Sequence, residues 1–160
     1  MLHLIERLLP RALHRLALRI AHRVRHRYRL LFRPAIAGVS VFVGDRAGRL
    51  LLVRHSYGSG AWSLPGGGMS HDEDPLDAAR REMAEELGID LVNVRLTEKL
   101  EETVSGAPHT AYLVAAQAAG KLRPDGREVI AARFFGSGEW PEPLSPLARK
   151  RIAVWQRDVR

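Results

Sequence analysis

A chain of 160 residues, 46% apolar and without cysteine, is long enough for one core but too short for two domains of ordinary size. Neither disulfides nor thiolate-held metals are open to it. No apolar run approaches the roughly 18 residues that a bilayer-crossing helix needs, which excludes a helical transmembrane protein. The formal charge of +7 is unevenly spread: residues 1–33 hold nine arginines and one acid, Glu6, and the rest of the chain holds 16 bases and 17 acids. The basicity belongs to one segment, and the body is nearly neutral.

In chain order, the first expectation is an amphipathic helix over about 11–32. Leu9, Leu13, Leu16, Ile20, Val24, Tyr28 and Leu31 recur at steps of three and four, with arginines gathered on the other side. Pro10 starts or kinks it, and Pro34 marks its exit. The pattern then changes to strands at 35–43 and 49–55, separated by a hairpin loop at Gly44–Gly48. After a loop, Trp62-Ser63-Leu64-Pro65-Gly66-Gly67-Gly68 carries three consecutive glycines, which suit neither a helix nor a strand interior. Either the backbone turns sharply there or something approaches it closely.

The clearest helix of the body spans about Pro75–Leu87. Asp74 is placed as its N-cap, Pro75 at its first position, Asp77 where a capping-box acid sits, and Gly88 at its end. Leu76, Ala79, Met83 and Leu87 form its apolar stripe. Strands are expected at 91–103, 110–118 and 128–135, with a loop at Ser105–Pro108. A last helix over 146–158, capped by Ser145, would bury Ala148, Ile152, Trp155 and Val159. Strands, a helix, more strands and a final helix imply a mixed sheet covered on both faces, an α/β fold with an arginine-rich helical extension at 1–33 and one domain over 34–160.

On the polar side of the 75–87 helix, Glu82, Glu85 and Glu86 fall within an arc of roughly 100°. Like charges three and four residues apart cost a few tenths of a kcal/mol per pair, so helix stability gives no reason for them, whereas a hard divalent cation does. The surrounding residues sharpen this. Gly67, Glu73 and the run Arg81-Glu82-Met83-Ala84-Glu85-Glu86-Leu87-Gly88-Ile89 resemble the Nudix box, G-x5-E-x7-R-E-U-x-E-E-x-G-U with U aliphatic, at every defined position once Met83 counts as apolar. More loosely, the likeness to the MutT-like Nudix hydrolases extends over 35–158, including Trp62 to Gly67 and Glu128-x5-Phe134-Phe135.

The resemblance implies a Nudix-type α/β/α sandwich and hydrolysis of the diphosphate bond in a nucleoside diphosphate linked to another moiety, with Mg²⁺ or Mn²⁺ as cofactor. Glu82, Glu85 and Glu86 would be the metal ligands, joined by main-chain groups at Gly67. Arg81, paired with Glu73, would hold the carboxylates in place. The general base is ranked Glu86 and Glu85 first, then Glu128, then Glu101 or Glu102. Gly66 and Gly67 let the backbone face metal or phosphate. Arg54, His55, Tyr57 and His109 are candidates for substrate contact. Trp62 alternates with Leu64, which favours packing over base stacking.

A Nudix core does not require residues 1–33. In order of preference, their helix docks on the domain or on a second copy as a homodimer, lies on an anionic membrane surface, or neutralises nucleic-acid phosphates. Nucleic acid ranks last because only one helix is basic. The expected partner is a small nucleotide or nucleotide conjugate, and the expected location is cytoplasmic, including the membrane periphery. The alternative reading is a non-catalytic Nudix-fold nucleotide-binding module tethered to membrane or nucleic acid by the basic helix. The full set of box glutamates speaks against it.

Overall fold

The computed structural model describes residues 13, 16–18, 20, 21, 36–104 and 106–158. Most of the expected N-terminal helix lies outside these. The described residues of that stretch are helical, and Leu13, Leu16 and Ile20 are each about half exposed, so docking of the apolar stripe on the domain is not seen at these three positions.

Among the described residues the body holds six strands and two helices: β1 (Ile36–Gly44), β2 (Leu50–His55), β3 (Trp62–Ser63), α1 (Pro75–Leu87), β4 (Asp90–Val104), β5 (Ala107–Ala119), β6 (Val129–Phe135) and α2 (Pro146–Asp158). The sheet order is β3-β2-β1-β5-β4, with β6 also paired to β2. Among the described strands, β1 and β5 run parallel, with Ile36 opposite His109 and Gly44 opposite Gln117. The other pairings are antiparallel.

The β1–β2 turn is held by Asp45, whose carboxylate accepts from the Ala47 and Arg49 amides. The two strands pair at Gly44–Leu50. Further along β1, the segment Pro65–Met69 bonds to it instead: the Val39 and Val41 amides donate to the carbonyls of Gly67 and Pro65, and the Met69 amide donates to Ala37. The glycine segment is thereby a ladder partner of β1. Gly66 carries φ +141, and a Cβ there would lie 2.2 Å from the Val39 carbonyl oxygen.

One core layer lies under α1, where Ala79, Met83 and Leu87 meet Val39, Val41, Val43, Leu51 and Val53. The opposite face carries α2, whose Ala148 and Ile152 pack on Phe42, Leu52 and Leu113. Trp155, partly buried, stacks on Phe42 at 5.5 Å. Helix α1 follows its sequence signals: Asp74 accepts from the Leu76 amide, Pro75 opens the first turn, and Gly88 ends the helix in the left-handed conformation. At α2 the Ser145 hydroxyl accepts from the Ala148 amide.

Three details depart from the sequence reading. The loop at 105–108 is tighter than expected, because Val104 pairs with Ala107 and β5 already contains Pro108 and His109. Glu128 lies in the turn before β6 rather than in the strand. Glu86 is buried together with the apolar stripe of α1 instead of lying wholly on its polar side.

The glycine segment yields a contrast within one loop. Gly66→Ala forces a methyl group into the β1 backbone and is expected to cost several kcal/mol or to abolish folding. Gly68→Ala, with nothing within 4 Å of the added carbon, is expected to stay within about 0.5 kcal/mol. Urea denaturation of the two variants checks this.

Candidate active site

The site is assembled by two short pieces of chain docked on α1. Ahead of the helix, the Glu73 carboxylate accepts from the Ser70 amide and from Arg81 Nε and Nη2, at 2.8, 2.8 and 3.1 Å. Arg81 also donates through Nη1 to Glu82 at 2.7 Å and through Nη2 to the Gly68 carbonyl at 3.0 Å. Its Nη1 lies 3.6 Å from Glu85. One guanidinium thus ties three glutamates and the glycine loop together, and Glu73 and Glu82 in turn raise its pKa. Hydrogen bonds from Arg81 and the Ser70 amide hold Glu73 below the usual carboxylate range.

After the helix, the segment 123–129 clamps its C-terminal turn. The Arg123 amide donates to the Leu87 carbonyl and the Asp125 amide to the Glu86 carbonyl. Asp125 then accepts from the amides of Arg127, Glu128 and Val129, folding its own turn around one carboxylate. Asp125 and Glu128 are thereby brought into the electrostatic neighbourhood of Glu86. Asp125 was missed in the sequence. Its signal there is only an Asp-Gly pair ahead of a strand, which reads as an ordinary turn.

Burial separates the three helix glutamates. Glu85 is about half exposed, whereas the side chain of Glu82 is 13% exposed and Glu86 is 6% exposed as a residue. Burial raises the Glu82 carboxyl in spite of its Arg81 contact. Burial also pushes Glu86 up to about 9, reinforced by the charges of Glu82, Glu128, Asp125 and Glu85. Its Oε2 is buried with no hydrogen-bond partner among the described residues. Gly67 is where Glu82 sits: a Cβ on Gly67 would fall 2.4 Å from the Glu82 carboxyl carbon. The Gly67 carbonyl already accepts from Val39, which leaves it one lone pair. Among the described residues, no three carboxylate or imidazole groups converge on one metal-ligating point.

The other candidates divide by location. Glu101 is exposed on β4 and accepts from Thr110. Glu102 is bound to Arg151 and Lys150 beneath α2, so neither belongs to the carboxylate group at Glu86. Arg54 stands over the Trp62 ring at 5.8 Å, and Trp62 packs edge-on against Phe135, as its alternation with Leu64 suggests. His55 stacks on Tyr57, and the intervening Ser56 amide donates to the Glu128 carbonyl. His109 and Gly66 line a chamber of about 620 Å³ bounded by β1 from Ile36 to Ser40, the loop Gly66–His71, and α2 at Leu147, Ala148 and Arg151. Arg54 does not line it. The glycine loop is a wall of this chamber and also abuts Glu82, so the chamber and the carboxylates are neighbours.

The family model for the NUDIX domain matches residues 34–155. The chain is 43% identical over 58 residues to an RNA pyrophosphohydrolase of Saccharophagus degradans, covering 36% of this chain and 32% of that one. It is 33% identical over 115 residues to an RNA pyrophosphohydrolase of Rhodopseudomonas palustris, covering 69% and 62%. These matches thus span from about a third to under two thirds of the relatives' length. A solved MutT NUDIX hydrolase from Burkholderia pseudomallei superposes with a TM-score of 0.66 at 28% identity, covering 72% of this chain and 94% of that one. With the family match running over most of its length, on a sheet whose glycine loop and glutamate-bearing helix stand side by side, this chain belongs to the Nudix hydrolases.

Proposed function

We propose that the chain is a divalent-cation-dependent pyrophosphohydrolase that splits the diphosphate bond of a nucleoside diphosphate joined to a further moiety. The observation that carries this reading is Glu86. It is a buried carboxyl group with one unpartnered oxygen, surrounded by Glu82, Glu85, Glu128 and Asp125. Such a group raises the cost of folding unless something positive joins it. Arg81 meets Glu73, Glu82 and Glu85 but has no bond to Glu86. An all-oxygen, all-acid donor set fits a hard cation. Mg²⁺ keeps several waters and takes substrate phosphates, so it asks for only one or two carboxylates rather than a closed protein cage.

Glu82, Glu85 and Glu86 would supply the carboxylate ligands, one or two to a cation, and the Gly67 carbonyl would be a further main-chain ligand. When bound, the cation supplies charge neutralisation of the diphosphate, a more acidic water and stabilisation of the leaving phosphate oxygen. The protein's own contributions are positional. Arg81 fixes the rotamers of Glu82 and Glu73, the glycine loop lets a polyphosphate approach the backbone, and the 123–129 clamp holds Asp125 and Glu128 beside the cluster. Glu85 and Glu128 are less buried than Glu86, and either would hold a proton taken from water.

The test is a screen in Mg²⁺ or Mn²⁺ across nucleoside triphosphates, dinucleotides, ADP-ribose and sugar nucleotides. 5′-Triphosphorylated RNA is included because two of the relatives are RNA pyrophosphohydrolases by name. Turnover of at least one compound is expected, with loss on chelation. Glu85→Gln should lose on the order of 10²-fold or more in kcat, and Arg81→Met about 10- to 100-fold, as for a residue that orients ligands. Equal rates in Glu85→Gln and the parent would remove it from the metal site.

Stability of the metal-free protein supplies a second test. A folded-state value of about 9 at Glu86, against 4.5 for the free side chain, means that between those values the folded chain holds a proton that the unfolded chain has released. Stability therefore falls as pH rises through this window. Glu86→Gln removes the slope and should be the more stable protein at pH 8, by on the order of a few kcal/mol, with the gap closing as pH falls towards 4.5. Urea midpoints across pH in a chelating buffer read this out. Added Mg²⁺ should raise the parent's midpoint more than the variant's.

A further inference from the structure

The N-terminal segment carries the chain's excess of charge and has no task in the hydrolytic reading. Residues 1–33 hold nine arginines against one acid, beside 16 bases and 17 acids in the rest of the chain. The described residues of this stretch, 13, 16–18, 20 and 21, are helical. At about 100° per residue, Leu13, Leu16 and Ile20 fall within about 60° of the helix circumference. They are 51, 52 and 53% exposed. Ala17 and Ala21 beside them are exposed too, whereas Leu18, on the far side of the wheel, is partly buried. A single exposed leucine is ordinary, but three large aliphatic side chains along one line of a helix form a patch that water disfavours. The sequence continues that line with Leu9, Val24, Tyr28 and Leu31, and sets Arg11, Arg15, Arg19, Arg25 and Arg29 opposite it.

Charge separates the occupants that would cover such a patch. The domain is not one of them at the three described positions, since their side chains remain half in water. A second copy of the segment brings nine more arginines, and the nearly neutral body attached to it has no surplus of acid to offset them. Like charge in close contact opposes that association. A nucleic acid satisfies the arginines through its phosphates but leaves the aliphatic line uncovered. An anionic lipid surface meets both faces, with phosphates for the arginines and acyl chains for Leu13, Leu16 and Ile20. Arginine's long stem lets the guanidinium reach the headgroups from a helix lying at that boundary. A spanning segment does not fit: arginine recurs through the stretch, and among the described residues no helix is long and apolar enough to cross a bilayer.

We propose that this segment seats the chain on an anionic lipid bilayer, lying along its surface with Leu13, Leu16 and Ile20 entering the acyl boundary and the arginines meeting lipid phosphates. Neither the proposal nor its test rests on the hydrolase reading. The full chain is mixed with vesicles of phosphatidylcholine alone, and of equal parts phosphatidylcholine and phosphatidylglycerol, and the bound fraction is read by co-sedimentation. Binding to the anionic vesicles is expected to be at least tenfold tighter, and to weaken as salt is added. Two triple variants separate the contributions of the faces. Leu13→Gln with Leu16→Gln and Ile20→Gln keeps every charge and removes the aliphatic line, whereas Arg11→Gln with Arg15→Gln and Arg19→Gln keeps the line and removes three charges. Each should weaken binding to anionic vesicles on the order of tenfold or more. The first should keep the parent's urea midpoint, because the three side chains it changes are already half in water.

Equal binding to neutral and anionic vesicles, or to neither, overturns the proposal. So does parent-level vesicle binding by the Leu13, Leu16 and Ile20 variant, which would leave the aliphatic line without a part. Sedimentation velocity without lipid covers the second copy: a dimer that the same variant disperses, in a chain that ignores vesicles, overturns the proposal and assigns the patch to self-association. Binding of a single-stranded RNA oligonucleotide in place of vesicles overturns it too, and assigns the arginines to nucleic acid.

Discussion

The constraint on which this structure turns is the crowding of like charge at the end of one helix. Glu82, Glu85 and Glu86 share α1 with Arg81, and the fold adds Glu73, Asp125 and Glu128 to the same neighbourhood. Nothing in helix physics favours this. The surrounding architecture exists to hold it: Arg81 spans the near carboxylates, the glycine loop gives Glu82 a place that any side chain at Gly67 would take, and the 123–129 turn is hydrogen-bonded to the last carbonyls of the helix. Each device answers a specific cost, whether repulsion, lack of room or an unsatisfied helix end.

Much of this was legible in the sequence because it depends on local rules. Asp74, Pro75 and Gly88 fixed the limits of α1, since a cap, a preset φ and a left-handed stop each act within a few residues. The identity of the glutamate patch was legible because box spacing coincides with helical spacing. Its environment was not. On a helical wheel Glu86 belongs to the polar arc, and its burial comes with long-range packing, including segment 123–129, more than 35 residues later, which bonds to its carbonyl. Asp125 was invisible for the same reason, because its contribution is a long-range placement carried by a turn of common composition.

Arg151 shows a complementary blindness. In sequence it is one of several basic residues on a C-terminal helix, next to Lys150 and Arg149, and its neighbours suggest a solvated face. Which of the three points inward is decided by the crossing of α2 over β1, which brings it to Ser40, 111 residues earlier. The parallel β1–β5 register makes the pocket beneath it, with Ile36 opposite His109 at the chamber end. Glu102, ranked by type among the possible bases, is instead that arginine's counter-charge.

The glycine loop separates two tasks while serving both. One side of it receives a carboxylate and the other bounds the chamber, so both meet at a single short segment. Helix α2, by contrast, reaches only the chamber side. Residues on the last helix can therefore be exchanged without touching the glutamate cluster, whose own surroundings leave far less freedom.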